Sequence, residues 1–103
     1  MIQNLLIAIE QCNMGLLHFN NGNIRAFLFG KKWYPLRAII NNAYNALGEE
    51  EVTTDRALVA LSYLIPYTRI ANIHFQDNFP IEINEGEILE ELRFLNLRVG
   101  ALL

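Results

Sequence analysis

The spacing of apolar residues changes period several times along this chain, which predicts a fold that mixes helices with strands. Apolar residues at positions 2, 5, 6 and 9 follow the i, i+3, i+4, i+7 spacing of an amphipathic helix. Residues 69–75 instead alternate between two faces, as a half-buried strand does. A length of 103 residues suits one domain. We therefore expect a single α+β domain over residues 1–103, with about four helices packed on a small antiparallel sheet.

Turn and capping signals divide the rest of the chain into short elements. The Asn21-Gly22 pair predicts the turn of a β-hairpin, because both central residues of such a turn take positive φ. Pro35 suits the first position of a helix, where its missing N–H is not needed. The expected elements are helix 1–11, strands 16–19, 24–29 and 33–34, helix 35–47, helix 55–64, strands 69–75 and 79–83, and helix 86–96.

Composition and charge exclude several classes of protein. A hydrophobic fraction of 52% with only 18% charged residues rules out intrinsic disorder. No apolar run reaches the roughly 18–20 residues of a membrane span, so we expect no membrane association. The net charge of −3 is unfavourable for general nucleic-acid binding. The charges are uneven, however: residues 1–48 carry four cations against one acid, whereas residues 49–103 carry four against ten.

Few residues suggest catalysis or metal binding. His18 and His74 are 56 positions apart, and no pair of potential ligands has the close spacing of a zinc site. Cys12 and Ser62 stand in no recognisable nucleophile motif. The single cysteine and the lack of a signal-peptide pattern favour the cytoplasm. We therefore expect a cytoplasmic binding module with no catalytic residue, metal or cofactor.

Residues 25–42 form the candidate binding surface, because they interleave four cations with aromatic side chains. The cations are expected to meet phosphates, and the aromatic rings are expected to stack on bases. The helix that begins at Pro35 would add backbone N–H groups, which also bind phosphate. A hairpin packed on a helix would contain similar residues, so a purely structural role is the alternative. The candidate DNA-binding residues are Arg25, Lys31, Lys32, Trp33, Tyr34, Pro35 and Arg37.

The run FGKKWYPLRAIINNA, residues 29–43, resembles the G-K-x-Y-P-x-K-A-I-x-x-x-A pattern of small N-terminal modules in modification-dependent HNH restriction endonucleases. It is also similar to their sulfur-recognising relatives, which read phosphorothioate DNA. In those relatives a Tyr-Pro pair and a nearby alanine help line an apolar pocket for the modified phosphate, with arginine contacts beside it. The resemblance implies that this chain reads modified DNA in a phage-defence or restriction context. The matching positions are Lys31, Tyr34, Pro35, Arg37 and Ala38.

A protein–protein interaction module is the alternative interpretation. The acidic second half of the chain would then bind a partner, as in a phage-encoded inhibitor or a regulatory subunit. Apolar residues near the C-terminus either close the core or dock on a partner or on a second copy in a homodimer. These residues are Leu95, Leu97, Val99, Leu102 and Leu103.

Overall fold

The computed structural model describes residues 1–83, which form three helices and a four-stranded antiparallel sheet. The elements are α1 (Ile2–Asn13), β1 (Gly22–Phe29), β2 (Lys32–Pro35), α2 (Leu36–Ala46), α3 (Thr54–Leu64), β3 (Ile70–Phe75) and β4 (Ile81–Glu82). The expected α+β class is confirmed, and residues 1–83 contain three helices. The predicted helix 86–96 and the apolar residues 95–103 lie outside the described residues. None of the helices within residues 1–83 has the length and hydropathy needed to cross a bilayer.

The sheet has the strand order β3-β1-β2-β4, so β1 pairs with both β2 and β3. β1 and β2 are joined by a two-residue turn in which Gly30 has a φ of +63°, as the first position of a type II′ turn requires. The predicted strand at 16–19 does not form, and the predicted Asn21-Gly22 hairpin is wrong. The outer side of β1 is taken by β3, and the Phe19 N–H donates to Asn78 Oδ1 instead.

The main core lies between the helices and one face of the sheet. Phe27 and Tyr34 of the sheet pack with buried side chains from all three helices. The buried helix residues are Leu5, Ala8, Ile9 and Cys12 on α1, Leu36, Ile39, Ile40 and Ala43 on α2, and Ala57 and Leu61 on α3. Each fully buried large apolar side chain contributes about 1.5–3 kcal/mol to folding. Leu47, the last residue of the predicted helix 35–47, lies beyond the end of α2 and is half exposed.

The other face of the sheet is apolar as well. Ala26, Trp33 and Phe75 are buried there, and partly buried isoleucines at positions 24, 73, 81 and 83 pack against them. Because side chains alternate along a strand, β1 presents apolar residues to both faces. Arg25 interrupts this pattern on the helix side, next to the start of α2.

The helix ends near this point are well defined. Pro35 is the last residue of β2 and the N-cap of α2, with φ −68° and ψ 115°, rather than the first helical residue that we expected. The strand therefore enters the helix without an intervening loop. Thr53 caps α3, and its hydroxyl accepts the Arg56 N–H at 3.3 Å.

Candidate functional site

A pocket of about 230 Å³ opens where β1, the β2–α2 junction and the start of α3 meet. β1 contributes Arg25, and the first turn of α2 contributes Arg37 and Ala38. The walls of the pocket are mostly apolar, and the charged groups that line it are the guanidinium groups of Arg25 and Arg37. The lining residues are Phe19, Asn20, Ile24, Arg25, Pro35, Arg37, Ala38 and Thr54.

The direct entry of β2 into α2 at Pro35 sets the position of Arg37 and Ala38. They are the second and third residues of α2, and no side chain caps this helix end. The first backbone N–H groups of a helix have no acceptor within the helix, and they carry its positive partial charge. The positive end of α2 therefore adds to the charge of Arg25 and Arg37 at the pocket.

Arg37 is held in place by the connector between α2 and α3. Its Nε donates to the backbone oxygen of Val52 at 3.1 Å. Asn41 fixes the same stretch of backbone, because its Nδ2 donates to that oxygen at 3.4 Å and its Oδ1 accepts the Val52 N–H at 2.7 Å. Asn41 is only 9% exposed, and its hydrogen bonds to Val52 are partly buried. Arg37 and Asn41 thus share Val52 as a hydrogen-bond partner, and Asn41 was not among the predicted site residues.

The two arginines keep their charge available for a ligand. Arg25 and Arg37 form no ion pair with any carboxylate that the structure describes. Arg37 uses Nε for Val52, which leaves its terminal nitrogens without a protein acceptor in the same part of the chain. Guanidinium groups whose nitrogens have no protein acceptor bind oxyanions through paired, charge-assisted hydrogen bonds.

The structure brings together only part of the predicted site. Arg25, Pro35 and Arg37 line one pocket, whereas Lys31, Lys32 and Tyr34 line a separate, open cavity beside α1. In that cavity the Tyr34 hydroxyl donates to Asn13 Oδ1 at 3.0 Å, and Lys32 Nζ donates to the same oxygen at 3.3 Å. Burial raises the pKa of Tyr34, which keeps the phenol protonated as a donor.

Trp33 and Tyr34, which were predicted to stack on bases, are buried in this structure. Each residue is only 3% exposed, so its ring presents no open face to solvent. Trp33 lies in the second core with Phe75, and the guanidinium of Arg69 lies 5.5 Å from its ring centroid. Tyr34 stacks against Phe27 in the main core. Successive residues of β2 point to opposite faces, and both faces are covered at these positions.

Four lining residues of the pocket were not among the predicted site residues: Phe19, Asn20, Ile24 and Thr54. Phe19 and Asn20 lie in the loop before β1, and Thr54 reaches the pocket only because α3 packs on α2. Thr53 takes the capping role, which leaves the Thr54 side chain at the pocket wall. No motif or spacing in the sequence marks Phe19, Asn20 or Thr54 as binding residues.

A metal centre is not apparent in residues 1–83, where no group of three or more His, Cys, Asp or Glu side chains is placed to hold an ion. Cys12, the single cysteine of the chain, is buried in the main core. Burial raises the pKa of its thiol to about 11, against the opposing effect of Lys32. Comparisons with protein-family models, with curated proteins and with solved structures find no match to this chain.

Proposed function

We propose that this chain is a small, non-catalytic cytoplasmic module that binds the DNA backbone and reads a modification there, in a phage-defence or restriction context. The observation that supports this proposal is the convergence of Arg25 and Arg37 on one apolar-walled pocket at the start of α2. The module contacts one phosphate group of the polymer at this pocket and makes few other charged contacts.

The size of the pocket favours a single phosphate group over a free cofactor. A volume of about 230 Å³ lies below the roughly 300–1,000 Å³ that is typical of small-molecule sites. Two guanidinium groups and a helix N-terminus together match the charge and the acceptor oxygens of a phosphodiester.

The apolar walls favour a modified phosphate over an ordinary one. The side chains of Pro35 and Ala38 offer no hydrogen bond to a phosphate oxygen, and an oxygen facing them would lose water without compensation. A less strongly hydrated substituent, such as the sulfur of a phosphorothioate, has a smaller free-energy cost of desolvation when it contacts the same wall. We therefore expect the preference to be for a backbone modification rather than for a modified base.

A fluorescence-anisotropy titration tests this proposal. Labelled duplexes carrying plain, cytosine-methylated or phosphorothioate DNA are titrated with the full chain at low and near-physiological salt. We expect tighter binding of the phosphorothioate duplex that persists at the higher salt, with a shallow salt dependence because few phosphates are neutralised. Flat curves for all three duplexes at low salt would reject DNA binding.

Matched variants locate the interaction. Arg25→Ala and Arg37→Ala each remove a charge at the pocket and should weaken binding about tenfold or more, since a hydrogen bond to a charged group is worth about 1.5–3 kcal/mol. Lys31→Ala removes the same charge from an exposed turn outside the pocket and serves as the control. Ala38→Leu fills the pocket without changing charge, so it should abolish the preference for modified DNA and spare binding of plain DNA. Equal losses for Lys31→Ala and Arg37→Ala would contradict the assignment of the pocket.

A further inference from the structure

A second, shallow groove lies between α2 and α3 and shares no lining residue with the arginine pocket. Its volume is about 750 Å³. Tyr44 of α2 lines one side, and Val59, Ala60 and Tyr63 of α3 line the other. Three consecutive glutamates, Glu49–Glu51 in the connector, form its rim. We call this feature the acidic groove.

The outer face of α3 carries two exposed large side chains, Val59 and Tyr63, among polar residues that are usual on a solvent-facing helix. Val59 and Tyr63 are one helical turn apart, and they are 55% and 84% exposed. Ala57 and Leu61, on the other side of the same helix, are buried in the main core. The side chains of Val59 and Tyr63 are therefore not needed for packing within residues 1–83, and together they give the groove an apolar floor.

The rim of the groove carries uncompensated negative charge. Glu49, Glu50 and Glu51 are all exposed, and none forms an ion pair with a cation among residues 1–83. Arg56 is the one cation of the lining, so the groove has a net charge of about −2 at neutral pH when each acid counts as a full charge. An acidic rim of this kind repels DNA and attracts basic segments.

The connector that carries the glutamates has a defined conformation. Its backbone is tied to α2 by the two hydrogen bonds between Asn41 and Val52. The glutamates are therefore presented from a fixed stretch of chain next to the apolar floor. A preorganised surface of this kind loses less conformational entropy when it binds.

From this combination we propose that the acidic groove docks a basic amphipathic segment of a partner protein. The apolar residues of that segment contact Val59, Ala60 and Tyr63, and its lysines or arginines lie against Glu49–Glu51. Charge complementarity selects this occupant over a second copy of the chain, whose net charge is −3. The proposal is independent of DNA binding, because the two sites share no residue.

A chemical-shift titration of the isotope-labelled full chain tests this proposal. The probe is a 14-residue peptide of lysine and leucine with leucines at helical spacing, and the control peptide has glutamate in place of lysine. We expect saturable shifts confined to residues 44–63 with the lysine peptide and none with the glutamate peptide. Shifts centred elsewhere, or equal shifts with both peptides, would overturn the proposal.

Variants separate the apolar contribution from the charged one. The triple variant E49Q/E50Q/E51Q removes the charge of the rim and should weaken binding of the lysine peptide about tenfold at near-physiological salt. Tyr63→Ser removes an exposed ring of the groove and should weaken it by a similar factor. Tyr67→Ser removes a fully exposed tyrosine that does not line the groove and should change nothing. Undiminished binding by the triple variant would show that charge does not select the ligand.

Sedimentation of the free chain tests whether the groove binds a second copy of the chain instead. We expect a monomer at all concentrations, and therefore no dimer that depends on Tyr63. If such a dimer is found, the groove binds a second copy and the proposed basic partner is wrong.

Discussion

Gly15 offers the sharpest test of the packing in this fold. It follows α1 with a φ of +74°, and a β-carbon at this position would lie 2.5 Å from Cζ and 2.7 Å from Cε1 of Phe79. Gly15→Ala therefore carries two separate penalties. One is the left-handed backbone conformation, which costs a residue with a β-carbon about 1–2 kcal/mol. The other is the displacement of the Phe79 ring.

The second penalty follows from how deeply Phe79 is buried. Phe79 is 52% exposed, so swinging its ring outward forfeits about half of the 1.5–3 kcal/mol that full burial provides, or about 1 kcal/mol. Gly15→Ala should then lower the free energy of unfolding by about 2–3 kcal/mol in total. Urea denaturation followed by far-UV circular dichroism measures this quantity.

Gly48 provides the matched control for the backbone penalty alone. Its φ is +77°, and a β-carbon there would meet no atom within 4 Å. Gly48→Ala should cost only about 1–2 kcal/mol. In a Phe79→Ala background, Gly15→Ala should cost the same as Gly48→Ala, which gives a coupling of about 1 kcal/mol between Gly15 and Phe79. Equal costs of the two glycine substitutions in the wild-type background would refute the predicted steric conflict.

Two further predictions concern buried polar groups. Asn41→Ala removes both hydrogen bonds to Val52 and should lower the free energy of unfolding by about 2 kcal/mol. It should also weaken DNA binding as an indirect effect on Arg37; unchanged urea midpoint and affinity would contradict both roles. The folded thiol of Cys12 has a pKa of about 11 against 9.0 when unfolded, so stability should fall by about 2 kcal/mol as pH rises from 9 to 11. Cys12→Ala should remove that pH dependence, and an equal slope in the variant would assign it to other groups.

The elements that sequence predicted well are those fixed by local chemistry. Leu36, Ile39 and Ile40 follow the helical period, and all three are buried. The helix predicted over residues 55–64 is α3, which Thr53 caps. The failed hairpin at Asn21-Gly22 shows the limit of local signals. That pair favours a tight turn, but β1 gains a longer partner in β3, about 45 positions further along the chain.

The candidate site also contains residues that the sequence predicted correctly as pocket residues and residues whose position depends on the tertiary fold. Arg25, Pro35 and Arg37 were identified by residue type, and they line one pocket. Trp33 and Tyr34 were expected to face a ligand, yet β2 is an interior strand whose two faces are both covered. An aromatic residue has the same sequence signature in a core and in a binding surface. Only the sheet order distinguishes the two cases.

The arginine pocket is encoded almost entirely by one short stretch of the chain. Seven of its eight lining residues fall between Phe19 and Ala38, and Thr54 is the exception. A segment of about twenty residues therefore contains nearly all of the residues that line the pocket. Much of the supporting core comes instead from α1 and α3, which precede and follow this segment in the chain. Selection can thus alter what the pocket accepts by exchanging or mutating this segment while most of the scaffold is left unchanged.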